Sequence, residues 1–310
     1  MNAPKDFVCL RDNSIHNNLN ELNSHLRKLK ITQAAYYLYY YPRHDLLTGA
    51  KIEFKNYNQY FSTCFVHKNN MKKYCLNDPA KGLEFGINYL KERVARKGVR
   101  KAFHQVELKS LPCPTIKFFQ EFGDYNKICE DMGLKAQFDY TKELQFEYNN
   151  LDKAVVNFDT REQQIIKFNK VKSELKTLKY GDYSINEPYN SGIFIEKKSI
   201  SDFVTSFGKD YQRLRREFER CKEAGHYMVV LVLKPFSKAL GFDYQFETRY
   251  AKVSPDYVFG NVREIIKEFN NVQFLFIDKE RAEEIVLKIF QMGKFVKNFD
   301  LQYNLDCKLL

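Results

Sequence analysis

Phe158-Asp159-Thr160-Arg161-Glu162, then Gly181-Asp182-Tyr183, then Ile195-Glu196-Lys197-Lys198-Ser199-Ile200-Ser201-Asp202 follow one another in the second half of the chain. The runs that carry them are β-branched or aromatic and of strand length. Ala154 to Asp159 and Ile193 to Glu196 read as strands, as do Tyr227 to Leu233 and Val272 to Ile277 further on. Gly181-Asp182 falls at a turn that leads into a hairpin through Asn190-Ser191-Gly192. Between the later strands, Ile200 to Ala224, Pro255 to Asn270 and Lys279 to Gly293 are amphipathic at helical spacing. The first of these has an apolar stripe of Phe203, Phe207, Tyr211, Leu214, Phe218 and Cys221. Strands alternating with helices predict an α/β layer structure around a central sheet.

The acidic residues fall at predicted strand ends, where loops can present them. Hydrolysis of a phosphodiester needs a hard cation that neutralises non-bridging oxygens and lowers the pKa of a bound water. Mg²⁺ takes oxygen ligands, commonly one or two carboxylates, and keeps several waters. An Asp from one strand and a Glu from its neighbour supply such a pair. Strand period is two, so Glu196 and Lys198 share a face and Lys197 points the other way. An ammonium beside the metal orients or deprotonates the attacking water and stabilises the charge that develops.

The ordered set Asp-x-Arg-Glu, Gly-Asp-Tyr and Ile-Glu-Lys-Lys-Ser-Ile-Ser-Asp resembles the nuclease domain of the XPF/Mus/Hef family of structure-specific endonucleases. The family motif reads Gly-Asp, then Glu-Arg-Lys-x-x-x-Asp. The resemblance covers Ala154 to Gly293 and implies a restriction-endonuclease-like central sheet flanked by helices. It also implies metal binding by Asp159, Asp182 and Glu196, catalysis by Lys198, support from Asp202 and phosphate contact by Arg161. Mg²⁺, with Mn²⁺ as a substitute, is the implied cofactor, and 5′-phosphate and 3′-hydroxyl ends are the implied products. Two departures stand out. Lys197 replaces the family's Arg, keeping the charge but losing the bidentate fork. The sequence after Gly293 is also too short for the tandem helix-hairpin-helix module of many relatives, so their binding of branched DNA and their dimerisation do not transfer.

Composition agrees with a polyanionic partner. The formal net charge is +11 and the sequence pI about 9.1, a surplus that favours nucleic acid. No apolar run approaches the roughly 20 residues that span a bilayer. Met1 to Leu10 lacks the pattern of a secretory signal, so an intracellular, cytoplasmic protein is expected. The 7 cysteines form no CxxC pair and fit a reducing compartment. Cys64, His67 and Cys75 lack a fourth zinc ligand at sensible spacing and read as thiols and a surface histidine.

The first half reads differently. Residues 1–18 are polar and aperiodic, predicting a flexible arm. Residues 19–138 predict short helices, residues 139–152 a linker, and residues 153–310 the nuclease domain. Phe54-x-x-Tyr57-Asn58 is echoed by Phe122-x-x-Tyr125-Asn126, as expected of two degenerate helical repeats. The second unit, from Leu108 to Lys135, resembles the DNA-binding repeats beside homing-endonuclease catalytic domains, with Phe119, Phe122 and Tyr125 as core. Lys91, Arg93, Arg96, Lys97, Arg100 and Lys101 form a cluster with little acidic dilution, expected with Lys197 to contact DNA phosphates. Lys209, Arg213, Arg215, Arg216, Arg220 and Lys222 are a second basic group, diluted by Glu217, Glu219 and Glu223.

These features together predict a metal-dependent endonuclease of double-stranded or branched DNA, site-specific in the homing manner and fitting a phage or mobile-element origin. A homodimer through the nuclease domain is a further expectation. The alternatives are a junction-specific nuclease and an inactive DNA-binding scaffold. Retention of Asp159, Asp182, Glu196, Lys198 and Asp202 argues against the scaffold.

Overall fold

The computed structural model of the chain describes residues 7–44, 51–62, 75–98, 100–240 and 254–310. The chain forms two compact units, one of residues 1–88 with 111–114, the other of residues 89–110 with 115–310. The division falls inside a helix, not at the expected linker.

In the first unit, β1 (Phe7–Val8) and β2 (Ile15–His16) pair antiparallel and lead into α1 (Leu19–Lys28), α2 (Gln33–Tyr40) and α3 (Tyr57–Ser62). The side chain of Asn18 caps α1 by accepting from Glu21 N, and Thr32 caps α2 by accepting from Ala35 N. Leu22, Leu26, Tyr36, Tyr37, Tyr60 and Cys9 form its core. Residues 7–18 are therefore folded, with Cys9 in this core. Their order comes from a buried Cys9 and from cross-chain hydrogen bonds, which leave no periodic trace. Of the cysteine and histidine group considered for zinc, Cys75 is buried, and Cys64 and His67 lie outside the described residues. The first degenerate repeat also falls partly outside them.

The second unit takes in the end of α4 (Pro79–Lys97), then α5 (Gln105–Lys109), α6 (Ile116–Phe122) and α7 (Tyr125–Asp131). Its sheet has six strands: β3 (Val155–Asp159), β4 (Lys172–Lys176), β5 (Tyr183–Ile185), β6 (Ile193–Lys198), β7 (Tyr227–Val232) and β8 (Val272–Phe276), in the order β4-β3-β5-β6-β7-β8. β5 is antiparallel to β3 and β6, while the β3–β4, β6–β7 and β7–β8 pairs are parallel. This is the expected mixed, restriction-endonuclease-like architecture. Alternation along β6 and β7 serves two cores. Ile193, Ile195, Val229 and Leu231 pack with Ile285, Ile289 and Phe290 of α12 (Ala282–Met292). Phe194, Met228, Val230 and Val232 pack with α8 (Ile200–Phe207), α9 (Tyr211–Glu223) and α11 (Pro255–Glu268). Strands covered on both faces read as continuous apolar runs, as β7 does.

The predicted helix from Ile200 to Ala224 is two helices, because Gly208, Lys209 and Asp210 interrupt it. The short α10 (Phe236–Ala239) and the closing α13 (Leu301–Asp306) have no counterpart among the predicted elements. The expected linker is ordered. Glu147 N and Tyr148 N donate to Gln291 O, and Leu151 enters the core. Gln105 ties α5 to the chain end, its amide donating to Asp300 Oδ2 at 2.7 Å and its side chain to Asp306 Oδ2 at 2.7 Å.

Gly181, just before β5, lies close against β6. Its φ is +60°, and a Cβ there would lie 2.8 Å from the carbonyl oxygen of Ile195. Gly225 has a φ of +75° with open space around it. Alanine at Gly225 is expected to cost about 1 kcal/mol for left-handed backbone alone. Gly181→Ala is expected to cost at least about 1 kcal/mol more, because β6 must also move. Denaturant titration of both variants checks this, and equal losses would show that the approach to β6 is no constraint.

Candidate active site

The sheet register brings the quoted motifs to one end of three neighbouring strands. Phe158 is paired with Tyr183, and Tyr183 with Ile195. Asp159 at the end of β3, Asp182 just before β5 and Glu196 on β6 are therefore neighbours. Backbone bonds lock them, with Asp159 N donating to Asp182 O at 2.9 Å and Asp182 N to Ile195 O at 2.8 Å.

Asp182 is half-buried, and its Oδ2 accepts from Lys197 N at 2.8 Å. Burial and the nearby Glu196 carboxylate push its pKa up to about 7, against the pull of the Lys197 amide and of Lys198. Lys198 Nζ donates to Glu196 Oε1 at 2.6 Å. Burial by itself lowers the Lys198 pKa, but Glu196 outweighs it and holds the ammonium above its ordinary value. Lys198 is thus a fixed cation between Glu196 and the field of Asp182.

Asp159 behaves otherwise. It is 1% exposed, its Oδ1 accepts from Arg161 N (2.9 Å) and Nε (2.5 Å), and its Oδ2 accepts from Leu178 N (2.7 Å). Burial opposes its ionisation, but Arg161 and these amides hold its carboxyl below the usual range. Through these bonds Asp159 holds Arg161 in place beside the other two carboxylates. Arg161 remains largely exposed, with Asp182 and Glu196 in its field.

Asp202 lies in the first turn of α8. Ser199 Oγ donates to its Oδ2 at 2.7 Å, and Asp202 N donates back to Ser199 Oγ at 3.1 Å. Its observed work is to start the helix that follows Lys198.

Lys197 does not face open surface, correcting its expected DNA contact. It is buried, paired with Glu162 Oε1 at 2.9 Å and hydrogen-bonded to Gln164 O. Period two sends it to the face opposite Glu196 and Lys198, where Glu162 meets it. Glu162 also acts on Asp182. It closes the Asp-x-Arg-Glu motif, yet its partner shows only once β3 and β6 are brought together.

The basic residues are less uniform. Lys91, Arg96 and Arg100 are exposed, whereas the side chain of Lys97 lies outside what the structure describes. Lys101 Nζ is tied to Lys267 O at 3.0 Å and to Asn270 Oδ1. Arg93, Arg100, Lys101, Glu107 and Arg263 line a cleft of about 210 Å³. Burial raises Glu107 to about 7 there, and Arg93 Nε is buried without a hydrogen-bond partner. On α9, Arg213 and Arg215 are held by Glu217 and Glu268. Phe119 and Tyr125 pack as expected, but Phe122 is 36% exposed.

Residues 151–286 match the ERCC4 domain. That span contains every acidic and cationic group just described around β3, β5 and β6. No curated protein matches the chain. Among solved structures, XPF from Aeropyrum pernix is 17% identical, with a TM-score of 0.33 over 46% of this chain and 68% of that one. The same protein in complex with DNA is 18% identical, with a TM-score of 0.32 over 46% of this chain and 64% of that one. No helix among the described residues is long and apolar enough to cross a membrane.

The raised Asp182 pKa makes a stability prediction. Its folded pKa of about 7 lies above the ordinary 3.8, so the folded state binds the extra proton between these values. Ionised Asp182 then destabilises the fold increasingly as pH rises through that window, and the penalty is constant above it. In metal-free buffer Asp182→Asn should melt with wild type below pH 4. It should gain on wild type with rising pH and level off above about pH 7. Parallel melting curves at every pH would refute the raised pKa of Asp182.

Proposed function

We propose that this chain is a divalent-metal-dependent DNA endonuclease in which Asp182 and Glu196 hold the metal and Lys198 acts on the reacting phosphate. The observation that carries this reading is two carboxylates crowded together at a sheet end, one of them raised to about 7 by burial and by the other. Their donors are hard oxygens, a set that suits Mg²⁺ or Mn²⁺, and a cation there relieves their repulsion. When bound, such a metal neutralises phosphate charge and activates a water.

The protein's own groups have separable parts. Asp182, fixed by the Lys197 amide, and Glu196, fixed by Lys198, present oxygens without rearrangement. Lys198, held by Glu196, stands where it can act on the attacking water and stabilise developing charge. Arg161, anchored through Asp159, offers a guanidinium to a phosphate oxygen. Lys197 and Glu162 brace the opposite face of β6. The helical segment supplies affinity for duplex DNA through Arg96, Arg100 and their neighbours. That segment supports site-specific, homing-type cleavage with 5′-phosphate and 3′-hydroxyl products.

In cleavage assays with Mg²⁺ or Mn²⁺, Asp182→Asn and Glu196→Gln should each lose roughly three orders of magnitude in rate, with DNA binding retained. Lys198→Ala should lose about 10²–10³ in rate with little change in metal affinity. Wild-type-like cleavage by either carboxylate variant would overturn the assignment. Arg96→Ser combined with Arg100→Ser should weaken binding and reduce the salt slope by roughly one unit for each phosphate no longer neutralised. An unchanged slope would remove these residues from the DNA interface.

A further inference from the structure

The first unit holds a cluster of a different kind. Cys9 Sγ, an Asp12 carboxylate oxygen and a His25 ring nitrogen all lie within 4.8 Å of one another. They come from three places: Cys9 follows β1, Asp12 sits in the turn between β1 and β2, and His25 projects from α1. The turn is shaped to bring them together. Asp12 N and Asn13 N both donate to Cys9 O, at 3.3 and 2.7 Å, and Asn13 adopts a φ of +59°.

A hydroxyl, Ser14 Oγ, connects this group to a fourth candidate ligand, His16. Ser14 Oγ lies 2.7 Å from Asp12 Oδ1, 2.9 Å from His16 Nε2 and 3.2 Å from His25 Nε2. Asp12 Oδ2 is 2.7 Å from His25 Nε2. One hydroxyl proton thus faces a carboxylate and two imidazole nitrogens, and the rings of His16 and His25 lie 4.7 Å apart. Cys9 is wholly buried, and the Tyr36 hydroxyl brackets it by accepting from Leu10 N at 2.7 Å and donating to Val8 O at 3.3 Å.

We infer that Cys9, Asp12, His16 and His25 form a structural zinc site that clips the β1–β2 hairpin to α1. One thiolate, two imidazoles and one carboxylate are a borderline-soft set that suits Zn²⁺, in contrast to the all-oxygen set at β5 and β6. With Zn–N near 2.0 Å and Zn–S near 2.3 Å, ligand atoms in a tetrahedron are roughly 3.3–3.6 Å apart. Cys9, Asp12 and His25 need only close in from spacings within 4.8 Å, and His16 joins them when Ser14 Oγ, now hydrogen-bonded between the two rings, turns aside. The need for a clip is physical. Two strands of 2 residues each and a helix of 10 residues are too short to be stable alone. Metal ligation adds folding free energy where such a core is small. The site is independent of the nuclease reading.

The test uses the full chain, reduced, stripped of metal and titrated with Co²⁺ and then Zn²⁺. The expected result is one thiolate-to-cobalt charge-transfer band, displaced by Zn²⁺. Cobalt at Asp182 and Glu196 gives no such band, because no sulfur is present there. Cys9→Ser should abolish the band, and His25→Gln should weaken Co²⁺ binding by more than about 100-fold. His25 is half-exposed on α1, so its variant, checked for retained helix by circular dichroism, keeps the test sound if loss of Cys9 disturbs folding. Asp12→Cys should tighten Zn²⁺ binding by roughly tenfold, as a softer donor replaces oxygen. Absence of the band in the wild type, or its persistence in both Cys9→Ser and His25→Gln, would overturn the inference.

Discussion

The close approach of Asp182 and Glu196 at the end of the sheet is the constraint around which the nuclease half is arranged. Like charges do not stay together in a partly dry place without enforcement. Here the backbone enforces it, through Asp182 N to Ile195 O and Lys197 N to Asp182 Oδ2. Gly181 makes the approach sterically open, and Lys198 limits the repulsion from the side of Glu196. The stress that remains is electrostatic and is of the kind a small divalent cation relieves. A site strained in this way favours ligand binding at the expense of fold stability.

Around this pair the remaining charged residues sort themselves by which side of β6 they occupy. Phe194, Glu196 and Lys198 face one way, and Ile193, Ile195 and Lys197 the other. Two lysines adjacent in sequence therefore have unrelated work. Lys198 belongs to the acidic pair, whereas Lys197 is sealed against Glu162 and Gln164. Asp159 shows the same economy of position. It accepts from Arg161 and from Leu178 N, and through the guanidinium it holds its charge positions a cation at the site.

Much of this was legible in the sequence because strand period and turn chemistry are local. The Glu-x-Lys alternation, the Gly-Asp turn and the apolar runs of β3, β6, β7 and β8 each declare themselves within a few residues. What stayed hidden depends on contacts between distant segments. β4 is exposed along its whole length and carries no apolar alternation, so only its pairing with β3 makes it a strand. Gly208 to Asp210 break an otherwise unbroken helical stripe, because helical spacing continues across a short interruption. The β1–β2 hairpin has strands too short for any pattern, and the partner of Cys9 and Asp12 is a histidine on the helix that follows. Asp159 matched a motif, but only the structure shows that Arg161 and Leu178 N are its partners.

β4 has one more consequence, which concerns how copies of the chain meet. It is the outer strand of the sheet, with the sequence Lys172-Ser173-Glu174-Leu175-Lys176, every residue exposed. An open strand edge invites strand-to-strand association with a second molecule. In a parallel, in-register match, each charge of β4 would face its own copy. In an antiparallel match centred on Glu174, that residue would again face its copy, and Lys172 would face Lys176. These two full-length registers oppose like with like, which destabilises cross-strand pairing, whereas shorter antiparallel matches centred on Ser173 or Leu175 set a lysine against Glu174. The charge order of the edge thus selects against full-length pairing with a second copy and leaves only short, offset matches electrostatically favoured.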